Sequence, residues 1–233
     1  MYARSPGPPI VVLDCDGVIL DTNEAKVDAF ERSAVCAGAP TSTARSLAAW
    51  QRTNFGVTRE EVFSRLARGD FGPVPRQFDV ESATQAYGTI VDEIYETAPL
   101  TQGLHEFLVE RSPADTYVAS GSSQDQLRSA LDGRGLSNFF ARIYGSPTPK
   151  REILARIVRE RGGAARATPV VMVGDAHADA DAAAAAGCSF VFAARYSLVR
   201  PSMSERSQRE GHPIIQDLTE LGPLLAREDT LQR

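Results

Sequence analysis

A short apolar run that ends in two carboxylates constrains this chain more than any other feature. Residues 10–13 read Ile-Val-Val-Leu, and Asp14 and Asp16 follow almost at once. The run is too short for a typical helix, is rich in β-branched residues and follows two prolines, so it predicts a buried strand of a parallel sheet. Carboxylates beside such a strand lose hydration and repel each other. We therefore expect a cationic partner, and a divalent metal ion is the simplest candidate.

The composition is that of a globular protein with its own hydrophobic core. Hydrophobic residues make up 42% of the chain, and 25 basic against 30 acidic residues give a formal net charge of −5. There is no long run of one sign, which argues against a nucleic-acid-binding surface. The three cysteines, Cys15, Cys36 and Cys188, are widely spaced, which favours reduced thiols over a metal site or a disulfide framework.

No targeting or membrane segment is expected. The beginning of the chain lacks a basic segment followed by an apolar one, and no apolar stretch is long enough to cross a bilayer. Together with reduced thiols, this favours a cytoplasmic protein without a membrane partner. The oligomeric state is left open between a monomer and a homodimer.

The apolar periodicity divides the chain into two kinds of structure. Helical spacing follows the first strand and continues to about residue 95, without a convincing strand. From Pro99 onward, short apolar strands alternate with helices, which predicts a parallel sheet with helices on both faces. We therefore expect an α/β fold with a Rossmann-like parallel sheet core. The expected core comprises residues 1–22 and 98–233, and residues 23–97 form an inserted helical domain.

Three of the predicted core strands end in polar residues. Asp14 and Asp16 follow the first strand, Ser120 ends the second, and Asp175 follows the fourth. Because ligands bind at the carboxyl ends of strands in open parallel sheets, we expect these residues to meet at one edge. Lys150 adds a cation near a helix N-terminus, where the helix dipole disfavours positive charge by ~0.3–1 kcal/mol, so it is expected to face an anion. This set suits a magnesium ion together with a phosphate group.

These motifs together resemble those of the haloacid dehalogenase-like superfamily. The matching segments, in the order in which the family carries them, are Asp14-Cys15-Asp16-Gly17-Val18 with Asp21-Thr22, then Ser120-Gly121, then Lys150, then Gly174-Asp175 with Asp179. The helical insertion is similar to the cap of the subgroup that contains phosphoglycolate phosphatase and β-phosphoglucomutase. The resemblance therefore implies that residues 23–97 are a helical cap domain.

The resemblance also assigns roles to the two acids of the first motif. Asp14 would be the nucleophile that forms an aspartyl-phosphate. Asp16 would be the general acid for the leaving alcohol and then the general base for water. Dehalogenases of the family lack an acid two positions after the nucleophile, so Asp16 favours phosphoryl transfer over dehalogenation.

The other motifs would bind phosphate and metal. Ser120, Gly121 and Lys150 would hold the transferring phosphoryl group. The spacing Gly-Asp-x-x-x-Asp favours Asp179 over Asp181 as the further acid at the metal. The implied Mg²⁺ ligands are Asp14, the backbone carbonyl of Asp16 and Asp175, with Asp179 beside them.

Two basic residues of the insertion are candidates for substrate binding. Gly56-Val57-Thr58-Arg59 resembles a Gly-Val-Ser-Arg segment in the caps of sugar-phosphate members, so Arg59 is a candidate to bind a sugar hydroxyl or a second anionic group. Asn23 and Lys26 form an Asn-x-x-Lys pattern similar to that of phosphatase-like members associated with sugar biosynthesis. The alternative is that Arg59 faces solvent and that Lys26 is structural or solvated. His177, inside the fourth motif, is left open between a contact with the site and an exposed loop position.

The sequence therefore predicts a Mg²⁺-dependent phosphatase that acts on a small phosphorylated metabolite, with a sugar phosphate as the expected class. One alternative is a phosphomutase that uses the same aspartyl-phosphate and differs in whether water or a second sugar hydroxyl attacks it. Another is a non-catalytic phosphometabolite-binding protein, which the complete set of acids disfavours.

Overall fold

The core of the protein is a six-stranded, fully parallel sheet. In the computed structural model, which describes residues 8–161 and 168–227, its strands are β1 (Ile10–Leu13), β2 (Thr116–Ser123), β3 (Arg142–Ser146), β4 (Val170–Gly174), β5 (Ser189–Ala193) and β6 (Ile214–Ile215). They are ordered β3-β2-β1-β4-β5-β6, which is the order of a doubly wound sheet. The predicted α/β class and Rossmann-like parallel sheet are thus confirmed.

The two central strands are buried along their whole length. All four residues of β1 and all five of β4 are buried, which is why both read as continuous apolar runs rather than as alternating patterns. Leu13 of β1 is aligned with Val118 of β2 and with Val173 of β4. β1 therefore ends level with the last residues of β4, β2 continues past it to Ser123, and the residues at these strand ends share one edge of the sheet.

The described residues form ten α-helices: α1 (Asn23–Cys36), α2 (Thr41–Gln51), α3 (Arg59–Ala67), α4 (Val80–Thr97), α5 (Leu104–Val109), α6 (Gln124–Gly133), α7 (Lys150–Arg161), α8 (His177–Ala186), α9 (Arg200–Glu210) and α10 (Leu221–Leu225). None of the helices within these described ranges combines the length and the apolar character needed to cross a lipid bilayer. Contacts divide the chain into two compact units, one formed by Met1–Asp21 with Leu100–Arg233 and the other by Thr22–Pro99.

The unit Thr22–Pro99 is helical and has its own aromatic core. Phe30, Phe63 and Tyr87 are buried, and their ring centroids lie 4.1–6.2 Å apart. Two of its helices begin at side-chain caps: the Thr58 hydroxyl accepts the amide of Glu61, and the Asp79 carboxylate accepts the amide of Glu81. The packed rings and caps explain why helical spacing dominates this part of the sequence.

The other unit carries the sheet, and its β2 end packs tightly against β3. The side chain of Gln124 accepts the amide of Gly145 at 2.7 Å and donates to the carbonyl of Ile143 at 3.1 Å. A Cβ atom on Gly145 would lie 2.6 Å from the carbonyl oxygen of Ser122 and 2.8 Å from the Cα of Gln124. Only glycine fits this close approach of two backbones.

This packing makes Gly145→Ala a destabilising change. We expect a loss of about 1–3 kcal/mol in the free energy of unfolding, because the added methyl group overlaps backbone atoms that cannot simply rotate away. Gly133→Ala is the matched control, since a Cβ atom there meets nothing within 4 Å. That change is expected to be neutral or stabilising by about 0.4–1 kcal/mol. Urea unfolding followed by circular dichroism measures both, and equal stabilities would contradict the close approach at Gly145.

Candidate active site

A tight turn after β1 fixes the first motif. The amide of Asp14 donates to the carbonyl of Val173 at 3.0 Å, which ties the end of β1 to β4. The carbonyl of Cys15 then accepts the amides of residues 18–20. Gly17 closes the turn with φ 76°, in the left-handed region that favours glycine. The two acids of the motif are thereby held at the carboxyl edge of the sheet.

Three carboxylates from two neighbouring strand ends form a buried cluster. Asp14 follows β1, Asp175 follows β4, and Asp179 lies in the first turn of α8. One carboxylate oxygen from each lies within 4.8 Å of those of the other two. The three residues are 7%, 5% and 1% exposed, so their charges are largely removed from water. The sequence placed these acids at one edge, and the structure brings them together.

Lys150, the first residue of α7, lies against this cluster. Its Nζ atom is 3.0 Å from Oδ1 of Asp14 and forms a second ion pair with Oδ1 of Asp179. Burial by itself lowers the pKa of Lys150, but the two carboxylates outweigh burial and raise the pKa above its ordinary value. The lysine is therefore a stable cation, and it faces the anions that its place near a helix N-terminus predicts.

The cluster carries more negative charge than Lys150 neutralises. Burial raises the pKa of Asp14 from 3.8 to about 7, Lys150 opposes this shift, and Asp179 and Asp16 add to it by repulsion. A divalent cation would supply the missing positive charge, and carboxylate oxygens are the ligands that Mg²⁺ prefers. The donor set and its charge imbalance thus fit a magnesium ion.

Asp179 organises the neighbouring loop. Its Oδ2 atom accepts the backbone amides of Asp175 at 3.2 Å and Ala176 at 3.1 Å, while Oδ1 pairs with Lys150. A Cβ atom on Gly174 would lie 2.3 Å from the Cβ of Asp179, so only glycine lets the Asp179 side chain pack against the backbone at position 174. Asp179 therefore holds both the loop that presents Asp175 and the lysine.

Two residues near Asp179, namely His177 and Asp181, are bonded to α9 instead. Asp181 is exposed and forms an ion pair with Arg206 at 2.8 Å, so it lies outside the acid cluster. The Nε2 atom of His177 hydrogen-bonds with the hydroxyl of Ser202 at 2.9 Å. These bonds join the start of α8 to α9.

The end of β2 is linked to the first motif. The Ser120 hydroxyl accepts the amide of Ser122 at 3.1 Å, and the Ser122 hydroxyl donates to Oδ2 of Asp16 at 3.0 Å. Ser120 is buried, whereas Gly121 is exposed and a Cβ atom on it would meet nothing within 4 Å. The predicted Ser120–Gly121 segment thus lies at the end of β2, beside the serine that contacts Asp16.

The two basic candidates of the insertion both lie over tyrosine rings within the unit Thr22–Pro99. The guanidinium carbon of Arg59 is 5.4 Å from the ring centroid of Tyr87. The Nζ atom of Lys26 is 5.2 Å from the ring centroid of Tyr95 and donates to its hydroxyl at 3.2 Å. Neither side chain is fully exposed, and both are held by cation–π contacts.

Two serines at this edge were not among the predicted site residues. Ser122 contacts Asp16, and the Ser197 hydroxyl donates to the backbone carbonyl of Asp175 at 2.5 Å. A signal existed for both. Ser122 lies two positions after Ser120 on the same strand, and alternate strand residues share a face. Ser197 follows the end of β5, where the same edge rule applies.

The fold and the acid cluster define a class of α/β hydrolytic enzyme with its site at the carboxyl edge of a parallel sheet. The model of the haloacid dehalogenase-like hydrolases matches residues 8–187. The chain therefore belongs to the haloacid dehalogenase-like hydrolase family, and the family and hydrolase class predicted from the four motifs are confirmed.

Solved structures show the same fold. A conserved haloacid dehalogenase-like protein of unknown function from Agrobacterium tumefaciens aligns with a TM-score of 0.69 and 22% identity, covering 95% of this chain and 99% of the other. CbbY from Rhodobacter sphaeroides, in complex with phosphate, aligns with a TM-score of 0.68 and 17% identity, covering 92% of this chain and 96% of the other. A predicted phosphoglycolate phosphatase from Haemophilus somnus aligns with a TM-score of 0.62 and 14% identity, covering 81% of this chain and 86% of the other. Among curated proteins, none matches the chain.

The raised pKa of Asp14 predicts that the stability of the metal-free protein depends on pH. Between about pH 4 and about pH 7 the native state holds a proton that the unfolded chain has released, so this group's contribution to the free energy of unfolding falls as pH rises. Asp14→Asn replaces this titratable carboxyl group with an amide that does not ionise. In EDTA, the variant is therefore expected to gain stability relative to the wild type between about pH 5 and about pH 8.

Thermal unfolding of both proteins at the two pH values measures this difference. Asp181→Asn is the control, because it removes an exposed acid that lies outside the cluster. A difference in Tm between Asp14→Asn and the wild type that does not change with pH would contradict the buried, repelled state of Asp14.

Proposed function

We propose that this hydrolase is a Mg²⁺-dependent phosphatase of a small phosphomonoester, with a sugar phosphate as the substrate class. The observation that carries this proposal is the buried cluster of Asp14, Asp175 and Asp179 with Lys150 at the carboxyl edge of the sheet. Such a cluster costs stability by itself, because buried like charges repel. A bound divalent cation would offset that cost, and together with Lys150 it would hold a negatively charged phosphate group next to Asp14.

Asp14 is proposed as the nucleophile. One of its carboxylate oxygens attacks phosphorus, the bond from phosphorus to the ester oxygen breaks, and an aspartyl-phosphate forms. Asp16 gives a proton to the departing ester oxygen, which leaves as an alcohol. Asp16 then takes a proton from the water that attacks the aspartyl-phosphate, and phosphate and free Asp14 result.

The phosphoryl group is proposed to be held by Ser120, Gly121 and Lys150. Because the Ser120 hydroxyl accepts the amide of Ser122, its own proton can be donated to a phosphate oxygen. The Lys150 ammonium lies 3.0 Å from Oδ1 of Asp14, next to the proposed nucleophile, and is proposed to stabilise the negative charge of the transferring phosphoryl oxygens. Gly121 is exposed and follows Ser120 at the end of the same strand.

The residues proposed to hold Mg²⁺ are Asp14, Asp175 and the backbone carbonyl of Asp16. Asp179 supports them through the amide of Asp175 and through Lys150. When bound, the ion neutralises charge on the phosphoryl oxygens and helps to orient the substrate. The side chains then keep their own roles: Asp14 attacks and Asp16 moves the proton.

Residues 23–97 are proposed as the cap that selects the substrate. Arg59 is proposed to bind a second anionic group or a sugar hydroxyl, and Lys26 to bind a polar group of the substrate. Cation–π contacts with Tyr87 and Tyr95 reduce the rotamer freedom of these long side chains, which lowers the entropy lost on binding.

The proposal predicts phosphate release that depends on both the metal and Asp14. A panel of phosphosugars, phosphoglycolate, nucleotides, aminosugar phosphates and p-nitrophenyl phosphate is incubated with Mg²⁺, and free phosphate is measured. EDTA is expected to stop release and excess Mg²⁺ to restore it. Asp14→Asn is expected to lower kcat on the order of 10³-fold or more, whereas Asp181→Asn changes it little. Full turnover by Asp14→Asn would contradict the proposed mechanism.

The same panel separates the two alternatives. With a hexose 1-phosphate, a mutase yields the hexose 6-phosphate in place of free phosphate. A non-catalytic binding protein gives tight binding by calorimetry with no turnover of any substrate. Either result would replace the phosphatase proposal.

Arg59 is expected to act on substrate choice rather than on the chemistry. Arg59→Ala should raise KM about tenfold for a sugar phosphate that carries a second anionic group, the loss expected for one hydrogen bond to a charged group, and leave p-nitrophenyl phosphate almost unchanged. Arg68→Ala is the matched control, because Arg68 lies at the end of the same helix, is exposed and pairs with Glu61. Equal effects of Arg59→Ala on both substrates would show that Arg59 is not a substrate contact.

A further inference from the structure

We propose that Ser122 is a positioning residue that holds the carboxyl group of Asp16 in the orientation from which it protonates the leaving oxygen. This inference rests on the phosphatase function proposed above and adds to it a residue that none of the four motifs assigns. It is carried by the hydrogen bond from the Ser122 hydroxyl to Oδ2 of Asp16 at 3.0 Å.

The donor in this hydrogen bond is itself fixed in place. The backbone amide of Ser122 donates to the Ser120 hydroxyl at 3.1 Å. The carbonyl oxygen of Ser122 packs closely against Gly145, where an added Cβ atom would lie only 2.6 Å from it. Ser122 is 9% exposed, so its hydroxyl has little room to move. One residue thus supports Ser120 through its backbone and contacts Asp16 through its side chain.

A fixed donor restrains the orientation of the Asp16 carboxyl group. Asp16 is only half-buried and lies just before the glycine of the turn after β1. The terminal torsion of an aspartate is broad, so an unrestrained carboxyl group samples many orientations. A hydrogen bond from Ser122 to one oxygen selects among them. Since Ser122 binds Oδ2, Oδ1 is the oxygen proposed to face the leaving group.

The restraint matters in one step of the reaction. As the Asp14 oxygen bonds to phosphorus and the phosphorus–ester bond breaks, the Asp16 proton passes to the ester oxygen, and the products are an alcohol and the aspartyl-phosphate. Proton transfer requires the acid within hydrogen-bond reach of the leaving oxygen. An alkoxide is a poor leaving group and needs this proton, whereas p-nitrophenolate leaves without it. Loss of positioning should therefore affect alkyl esters selectively.

The test compares kcat/KM for glycerol 2-phosphate with kcat/KM for p-nitrophenyl phosphate, because this parameter reports the steps through formation of the aspartyl-phosphate. Ser122→Ala is expected to lower the alkyl-to-aryl ratio about tenfold, within the ~10²–10⁴-fold that general acid catalysis supplies. Ser122→Thr keeps a hydroxyl and should retain most of the ratio. Ser123→Ala, which removes the neighbouring hydroxyl, should leave it unchanged.

A double-mutant cycle shows whether Ser122 acts through Asp16. Asp16→Asn should lower the same ratio, and adding Ser122→Ala to it should cause no further loss. Equal losses on both substrates by Ser122→Ala would overturn the inference and place Ser122 in phosphate binding or folding. Further loss in the double variant would overturn it as well.

Crystal structures of the wild type and Ser122→Ala give a readout that does not depend on turnover. The Asp16 carboxyl group is expected to leave its wild-type orientation in the variant, and an unchanged, well-ordered carboxyl group would contradict the role of Ser122. A failure of the proposed function looks different: the wild type itself would hydrolyse neither ester, and the role of Ser122 would fall with it. If the wild type and Asp16→Asn behave as expected but Ser122→Ala does not, only the positioning role fails.

Discussion

The structure of the site depends on negative charge buried at the carboxyl ends of β1 and β4. Asp14, Asp175 and Asp179 lie within a few ångströms of one another, and Lys150 pairs with two of them. Burial and the neighbouring acids raise the pKa of Asp14, because the single ammonium does not balance the carboxylates. A bound divalent cation would offset this excess of negative charge. Its chemistry and its stability are therefore set by the same charges.

The sheet order is what concentrates these charges. β1 and β4 are neighbours although residues 14–169 lie between them in the chain. The crevice of a doubly wound sheet opens where the strand order reverses. Two glycines allow the close approaches that complete the edge. Gly174 leaves room for Asp179 to fold back onto the loop after β4, and Gly145 lets the end of β2 pack against β3. Through these contacts a scaffold of buried apolar strands holds polar groups at one edge.

Much of the fold and of the acid cluster was predictable, for definite reasons. The run at residues 10–13 is buried on both faces, so it reads as a parallel strand without any tertiary information. Asp14, Asp175 and Asp179 follow strand ends or begin a helix, and the edge rule for parallel sheets brings such residues together. The Ser122 contact was not predicted, because the second strand was expected to end at Ser120, whereas β2 continues to Ser123. The pairing of Lys150 with Asp179 was also not predicted, since the sequence placed the lysine near phosphate and did not specify which carboxylates it contacts.

The sequence by itself determined the α/β class, the helical insertion after the first motif, and the types of residue at the strand ends, because apolar periodicity and motif order are local properties of the chain. Only the tertiary structure decided which acids share the buried cluster, that Asp181 pairs with Arg206 outside it, and that Ser122 contacts Asp16. These outcomes depend on strand register and on the close backbone packing that the absence of a Cβ atom permits at Gly145 and Gly174. Register and packing join residues that lie far apart in the chain, and no local pattern encodes their distances.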